Sequence, residues 1–316
     1  MSVRTTIVAK SAITLLAFVA VSLQVDLQTV WATLSGFPTY WIPAIVTLLA
    51  VGLLLSSLKW KVVLDTLGQN VSIVRLISLF WSGLFFNTFL PGRTGGDAYR
   101  AFGLPKSAGS RSRAITSVAI DRGMNLLALV LIAFFSTFLD HRLPASIVTG
   151  VRTLTVAVFG ATILGFAFRQ ALLDRLPDRI SAKLYPLLGA RWDFRELALS
   201  AGLSLAFQAS MVLINVCVAR ALSIPVTTIA LFVIIPITAL VTAIPISING
   251  IGVREAAYAT LLAYTGTAPE HGVALSLTAT AAVFCWSVVG GVIFVLSNQQ
   301  KRTTGADTLS LSGATR

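Results

Sequence analysis

The sequence has 316 residues, of which 56% are hydrophobic and only 11% are charged, with a mean hydropathy of +0.85. A soluble domain carries about 25% charged residues, so this composition excludes an ordinary water-soluble fold. The formal net charge of +12 raises nucleic acid as a partner. The basic residues lie in short stretches between apolar runs, however, which excludes nucleic acid and indicates a membrane protein with a positive inner face.

Apolar runs near the roughly 20 residues that span a bilayer predict an all-α, polytopic bundle. Full crossings are predicted at residues 11–25, 40–58, 114–139, 150–168, 197–219 and 273–297. Two further runs, 76–90 and 226–246, end abruptly in Pro and Gly motifs, and we interpret them as re-entrant broken-helix hairpins. Paired breaks in opposite orientation are typical of an inverted repeat with a binding site near the midplane.

The positive-inside rule sets the predicted orientation. When both hairpins are re-entrant, one face collects every Lys and Arg except Arg142, Arg152, Arg220 and Arg254. We therefore expect a multi-pass membrane protein with both termini in the cytoplasm. The first hairpin enters from the cytoplasm and the second from outside.

A single transmembrane domain is expected over residues 1–298, followed by a polar, disordered cytoplasmic tail over 299–316. Leucines and basic residues alternate in segment 170–195, which predicts an amphipathic helix at the inner face.

The first break runs from Asn87 to Arg100 and contains Pro91, Gly92, Gly95 and Gly96. Proline removes a backbone donor and the glycines permit unusual backbone geometry, so a helix must break here and these residues are the predicted hinge. Thr94 and Asp97 resemble a capping pair at the start of a new helix. A helix N-terminus beside Arg93 and Arg100 is a ready site for phosphate.

The second break, from Pro245 to Glu255, repeats this pattern with Gly250, Gly252 and Arg254. Together the two breaks predict a site for a phosphate-bearing group inside the bilayer. Its predicted ligands are Asn87, Arg93, Arg100, Asn249 and Arg254. Its predicted charge partners are Asp97, Asp121, Arg122 and Glu255, since ionisable residues within a membrane are functional by default. The alternative is that the glycines serve close packing and that the charges form internal pairs, Asp97 with Arg100 or Arg254 with Glu255.

Other polar residues have simpler interpretations. Gln208 and Asn215 are expected to form interhelical hydrogen bonds, and Lys59 and Trp60 to anchor the chain at the membrane interface. The sequence contains no hydrolase, nucleotide or metal motif. We therefore expect no metal and no cofactor.

These motifs resemble the transmembrane, flippase-like region of the lysylphosphatidylglycerol synthase family. The resemblance rests on Asn87, Leu90-Pro91-Gly92, Gly95-Gly96-Asp97, Arg100, Asp121-Arg122 (the family usually shows Glu-Arg) and the run from Pro245 to Glu255, within about residues 5–298. It implies an inner-membrane protein that binds lipids or moves them between leaflets. Full-length synthases also carry a soluble domain that transfers an aminoacyl group from tRNA. This chain stops at Arg316, so aminoacyl transfer is not expected from it.

Three functions stay open. The first is translocation of an anionic phospholipid or a polyprenyl-phosphate-linked lipid. The second is a membrane-embedded transferase acting on a lipid head group or lipid-linked sugar, with Asp97 or Glu255 as general base; the missing metal and nucleotide motifs disfavour it. The third is a non-catalytic membrane subunit. Membrane lipids are the expected partners, and a separate lipid-modifying enzyme and an oligomer are left open.

Overall fold

The apolar runs of the sequence form helices, because a segment in hydrocarbon must satisfy its own backbone hydrogen bonds. The computed structural model describes residues 25–90, 95–105, 110–139, 142–175, 192–244 and 246–313, together with Leu23 and Gly189. The first expected crossing, 11–25, lies almost wholly outside the described residues, as does the middle of the expected amphipathic segment 170–195.

Every regular element in the described part of the chain is helical. The helices are α1 (Leu27–Ser35), α2 (Ile42–Thr66, after a 3-10 turn at Thr39–Trp41), α3 (Ile73–Phe89), α4 (Gly95–Gly103), α5 (Arg111–Ser136), α6 (Ala145–Ala167), α7 (Arg169–Arg175), α8 (Phe194–Ala221), α9 (Thr228–Ala243), α10 (Val253–Ala263) and α11 (Pro269–Gly313).

Five of these helices are long and apolar enough to cross a membrane. They cover Thr39–Thr66, Arg111–Ser136, Ala145–Ala167, Phe194–Ala221 and Pro269–Leu296. The two predicted broken runs correspond to the shorter apolar helices α3 and α9. The polytopic all-α fold predicted from the sequence is therefore confirmed.

The first hairpin consists of α3 and α4, which run antiparallel. Arg75, near the start of α3, donates a hydrogen bond from Nη2 to the carbonyl oxygen of Gly103, the last residue of α4, at 3.1 Å. Near the turn, the N–H of Gly96 donates to Asn87 Oδ1 at 2.9 Å. The chain therefore enters and leaves this hairpin at the same end of the bundle.

Helix α5 shows that the two hairpins enter from opposite ends. Asp121, which lies ten residues after the first residue of α5, pairs with Arg100 of the first hairpin. At its last residue, Ser136 donates a hydrogen bond to the carbonyl oxygen of Phe232, near the start of α9, at 2.8 Å. These two contacts lie about 22 Å apart along the helix axis, given a rise of 1.5 Å per residue.

The largest apolar core joins α2, α8, α9, α10 and the beginning of α11. Its fully buried members include Val218, Ile234, Leu262 and Leu275. This core packs against the second hairpin and thereby fixes the position of the hairpin's break relative to α11.

The far end of α11 differs from the sequence prediction. Its backbone is helical to Gly313, whereas disorder is expected from residue 299 onwards. Extending an existing helix requires no new nucleus, so a polar segment with weak helix propensity can continue it.

Candidate functional site

Close packing of glycine shapes the first break. A Cβ atom on Gly96 would overlap the carbonyl oxygen of Gly83, and one on Gly95 would meet the side chain of Leu90. The amide oxygen of Asn87 accepts the free N–H of Gly96, so Asn87 caps α4. The predicted hinge glycines Gly95 and Gly96 thus serve close approach of the two helices.

Four predicted residues of this break lie outside the described part of the chain. They are Pro91, Gly92, Arg93 and the predicted cap Thr94. The cap that the structure shows is Asn87, which was predicted as a head-group ligand.

A buried ion triad holds the first hairpin to its neighbours. Asp121 Oδ1 lies 2.8 Å from Lys59 Nζ, and Asp121 Oδ2 accepts a hydrogen bond from Arg100 Nη2 at 2.9 Å. Lys59 Nζ also donates to the carbonyl oxygen of Asp121 at 3.1 Å. Lys59 and Asp121 are completely buried and Arg100 is 3% exposed. The triad therefore joins α2, α4 and α5 without contact with solvent or lipid.

Aromatic rings enclose Arg100 within this triad. Its guanidinium carbon lies 4.2 Å from the ring centroid of Trp60 and 4.1 Å from that of Phe80. Trp60 is itself fixed by a hydrogen bond from Nε1 to Ser117 Oγ at 3.1 Å. In this arrangement Arg100 has no open face for a lipid phosphate, so the head-group role predicted for it does not fit the structure. The reason is that the acid which pairs with its charge comes from another helix, α5.

A second ion pair lies beside the triad. Arg122 donates from Nε and Nη2 to the two carboxylate oxygens of Asp97 at 2.8 and 3.0 Å. Arg100 Nη1 also lies 3.7 Å from Asp97 Oδ1. The side chain of Arg122 is 51% exposed. The predicted charge partners Asp97, Asp121 and Arg122 thus meet in one network around Arg100.

The second break has a left-handed backbone. Asn249, Gly250 and Gly252 have φ angles of +54°, +81° and +80°. Gly and, less readily, Asn tolerate this region, which explains why glycines stand at positions 250 and 252. Pro245 lies outside the described residues.

Glu255 caps the helix that follows this break. Its Oε2 accepts the N–H of Gly252 at 2.7 Å, and its Oε1 accepts the hydroxyl of Ser276 at 2.8 Å. Within the described part of the chain, Glu255 forms no ion pair with an arginine, although it was predicted as a charge partner. The helix start has free N–H groups, and one of them binds this carboxylate instead.

Arg254 is left without a carboxylate among the residues that the structure describes. Its Nη2 donates to the carbonyl oxygen of Asn249 at 2.7 Å, and its Nη1 donates to Thr280 Oγ1 of α11. Both acceptors are neutral, and the side chain is only half-buried. Arg254 therefore carries a positive charge that no described acid balances.

The two breaks meet directly. Asn249 Nδ2 donates to the carbonyl oxygen of Thr88, at the end of α3, with a distance of 3.1 Å. The other amide atom, Asn249 Oδ1, is buried and has no hydrogen-bond partner among the described residues. Since the hairpins enter from opposite ends, their junction lies between the two ends of the bundle, with Arg254 beside it.

The family of the chain follows from sequence comparison. The sequence model for the family described as "Lysylphosphatidylglycerol synthase TM region" matches residues 7–291. This chain belongs to that family.

Two curated relatives are UPF0104 membrane proteins. One, from Pyrococcus horikoshii, is 28% identical over 145 residues, which cover 43% of this chain and 43% of the relative. The other, from Methanothermobacter thermautotrophicus, is 28% identical over 171 residues, covering 53% of this chain and 48% of the relative. The match therefore spans about half the length of these relatives or less.

Sequence reasoning misplaced Lys59 and Trp60, which were expected at the membrane interface. Both are completely buried in the triad. The predicted crossing ends at residue 58, but α2 continues to Thr66. Lys59 lies more than one turn before the end of α2, and a charged residue at such a position is the signal that could have identified it as a member of a buried ion pair.

Two other polar predictions are confirmed. Gln208 Nε2 donates to the carbonyl oxygen of Asn125 at 3.0 Å, and Tyr258 donates its hydroxyl to Asn215 Oδ1 at 2.9 Å.

Among the residues with described positions, no three His, Cys, Asp or Glu side chains come close enough to hold a metal ion.

Proposed function

We propose that this protein binds a lipid with an anionic phosphate at the junction of its two hairpins and moves that lipid between leaflets. The single observation that carries the proposal is Arg254, a half-buried arginine beside two helix breaks, with only neutral described partners. A charge at membrane depth is unfavourable unless it is paired or solvated. A phosphate can supply the missing negative charge through charge-assisted hydrogen bonds.

The proposed head-group ligands are now fewer than the sequence suggested. Arg254 binds the phosphate, while Asn249 lies next to it with an amide that joins the two hairpins. The described contacts of Arg100 and Asn87 make them supports of the first hairpin. An anionic phospholipid and a polyprenyl-phosphate-linked lipid both offer the required phosphate.

The junction suits alternating access because one described side-chain hydrogen bond, from Asn249 to Thr88, links the hairpin tips. We infer that separation of the tips opens the site toward one end of the bundle and their return opens it toward the other. The left-handed residues Gly250 and Gly252 supply the backbone freedom for this movement.

The transferase alternative requires Asp97 or Glu255 as a general base. Asp97 accepts two hydrogen bonds from Arg122, and both oxygens of Glu255 accept hydrogen bonds from Gly252 and Ser276. These contacts already engage both oxygens of each carboxylate, which disfavours either one as a base for a substrate proton and favours translocation over group transfer.

A lipid-flip assay in proteoliposomes tests the proposal. Arg254→Ala should reduce transport of a labelled anionic lipid at least about tenfold, since loss of a charged hydrogen bond of about 1.5–3 kcal/mol weakens binding by that factor or more. Arg254→Lys, which keeps the charge but loses the planar fork, should retain part of the activity.

Arg220→Ala is the matched control, because it removes one exposed arginine from the last turn of α8 and leaves the junction unchanged. Its transport should equal that of the unmodified protein. Equal transport by Arg254→Ala and Arg220→Ala would refute the proposed head-group site.

A further inference from the structure

One face of α11 contacts both breaks in succession. Ser276, Thr280 and Phe284 follow one another at intervals of four residues, so they lie on one face about 6 Å apart. Thr280 accepts a hydrogen bond from Arg254. One turn later, the ring of Phe284 packs on that of Phe89, with centroids 4.8 Å apart. Phe89 directly follows Thr88, the residue that receives the hydrogen bond from Asn249.

The rings of Phe89 and Phe284 are partly exposed at the surface of the bundle. Phe89 is 44% exposed and Phe284 is 45% exposed. The same row of residues four apart continues around α11 to Val288 and Val292, which are 44% and 54% exposed. An uncovered apolar strip thus begins one helical turn from the residue that binds Arg254.

The neighbouring face of α11 is closed by α3. A Cβ atom on Gly290 would overlap the carbonyl oxygen of Trp81, and the rings of Trp81 and Trp286 stack with centroids 4.7 Å apart. Trp81 also donates from Nε1 to the carbonyl oxygen of Trp286 at 3.2 Å. This tight contact fixes α3 on α11, so the edge formed by Phe89 and Phe284 has a defined position beside the junction.

We propose that the Phe89–Phe284 edge is the lateral portal for the lipid, through which its hydrocarbon chain leaves the junction and enters the bilayer. The phosphate lies at Arg254, and the chain follows Phe284, Val288 and Val292. This inference rests on the proposed head-group site and adds the route of the chain.

The proposed occupant is a lipid because a cationic side chain, that of Arg254, lies next to an exposed apolar strip. A soluble anion would balance Arg254 but would leave the apolar strip uncovered. From Thr280 to Val292 this row of residues four apart rises about 18 Å along the helix axis, at 1.5 Å per residue, while it winds gradually around the helix. Half of a hydrocarbon core of about 30 Å is about 15 Å, so the strip matches a chain that spans one leaflet.

Site-specific photo-cross-linking tests the portal. Benzoylphenylalanine would replace Phe284 in one full-length variant and Phe135 in a control. Phe135 is a 59% exposed phenylalanine of α5 and reports on ordinary lipid contact. Each variant would be reconstituted in phosphatidylcholine vesicles that contain a minor fraction of either phosphatidylglycerol or polyprenyl phosphate.

The portal predicts severalfold enrichment of one anionic lipid at position 284 over its share of the vesicle, and none at position 135. Arg254→Ala should abolish the enrichment at 284. The two vesicle compositions distinguish a phospholipid from a polyprenyl phosphate. Equal enrichment at both positions, or enrichment that survives Arg254→Ala, would overturn the proposal. Benzoylphenylalanine at Val288 is a second probe if the change at 284 prevents folding.

Cross-linking measures occupancy, whereas the flip assay measures movement, so the two proposals can fail separately. Arg254-dependent enrichment without transport would support the portal and remove translocation. Arg254-dependent transport without enrichment would support translocation and remove the portal.

Discussion

The first and second breaks have the same sequence pattern, a Pro and Gly interruption followed by an arginine near an acid, but their arginines differ in surroundings. Arg100 is 3% exposed, lies between two aromatic rings and pairs with Asp121. Arg254 is half-buried and donates to a carbonyl oxygen and a hydroxyl.

The acids explain this difference. At the first hairpin, Asp97 of α4 and Asp121 of the neighbouring α5 both form ion pairs with cationic side chains. In the second, the carboxylate of Glu255 is used by a backbone N–H and a serine hydroxyl. Neither described hydrogen bond to Glu255 comes from Arg254, so the arginine keeps only neutral hydrogen-bond partners among the described residues. The first hairpin is therefore an anchor, and the second carries the candidate site.

The largest expected effect comes from breaking the anchor. Asp121→Asn should lower the free energy of unfolding by about 3–5 kcal/mol, because it leaves Lys59 and Arg100 buried without their shared acid. The measurement is denaturation by SDS of the purified protein in mixed micelles.

Asp65→Asn is the control for this variant. Its ion pair with Lys61 is partly exposed, so its loss should change the free energy of unfolding by at most about 1 kcal/mol. Similar small changes in both variants would show that the triad does not anchor the first hairpin.

A smaller effect is expected from separating α3 and α4. Gly96→Ala inserts a Cβ atom against the carbonyl oxygen of Gly83, and such overpacking lowers the free energy of unfolding by about 1–3 kcal/mol. Gly160→Ala in α6 is the matched control, because no atom lies within 4 Å of the added methyl group. Thermal denaturation should therefore place the Tm of Gly96→Ala below that of Gly160→Ala. A Tm for Gly96→Ala at or above that of the control would contradict the close contact.

The smallest effect tests whether the charge of Glu255 matters. Glu255→Gln should change the free energy of unfolding by less than about 1 kcal/mol, because glutamine can still accept the N–H of Gly252. Glu255→Ala loses the cap and should lower the free energy of unfolding by about 1–2 kcal/mol. Both values come from the SDS denaturation assay. If Glu255 instead balances Arg254, the two variants should be equally damaging, and the contrast between the hairpins would fail.

Much of the fold was predictable because it depends on local pattern. Long apolar runs predicted the crossings, and Pro and Gly predicted both breaks, since these residues limit backbone conformation wherever they occur. The cap of α10 was missed, although Glu255 stands three residues after Gly252 in a capping arrangement that the sequence shows.

The buried triad was not predictable in the same way. Lys59 lies 62 residues from Asp121, and Arg100 lies 21 residues from it. No periodicity within one helix connects positions on three helices. A hydropathy reading also ends a crossing at its first charge, so it placed Lys59 and Trp60 at the interface.

The sequence by itself determined that the chain is a bundle of membrane helices with two interruptions, because the solvation of backbone and side chains in hydrocarbon is a local requirement. Only the tertiary structure decided which arginine is neutralised and which is available. That outcome depends on whether another helix brings an acid within ion-pair distance. The packing of α2, α4 and α5 does so for Arg100, whereas the described side chains of α11 bring a hydroxyl, that of Thr280, to Arg254.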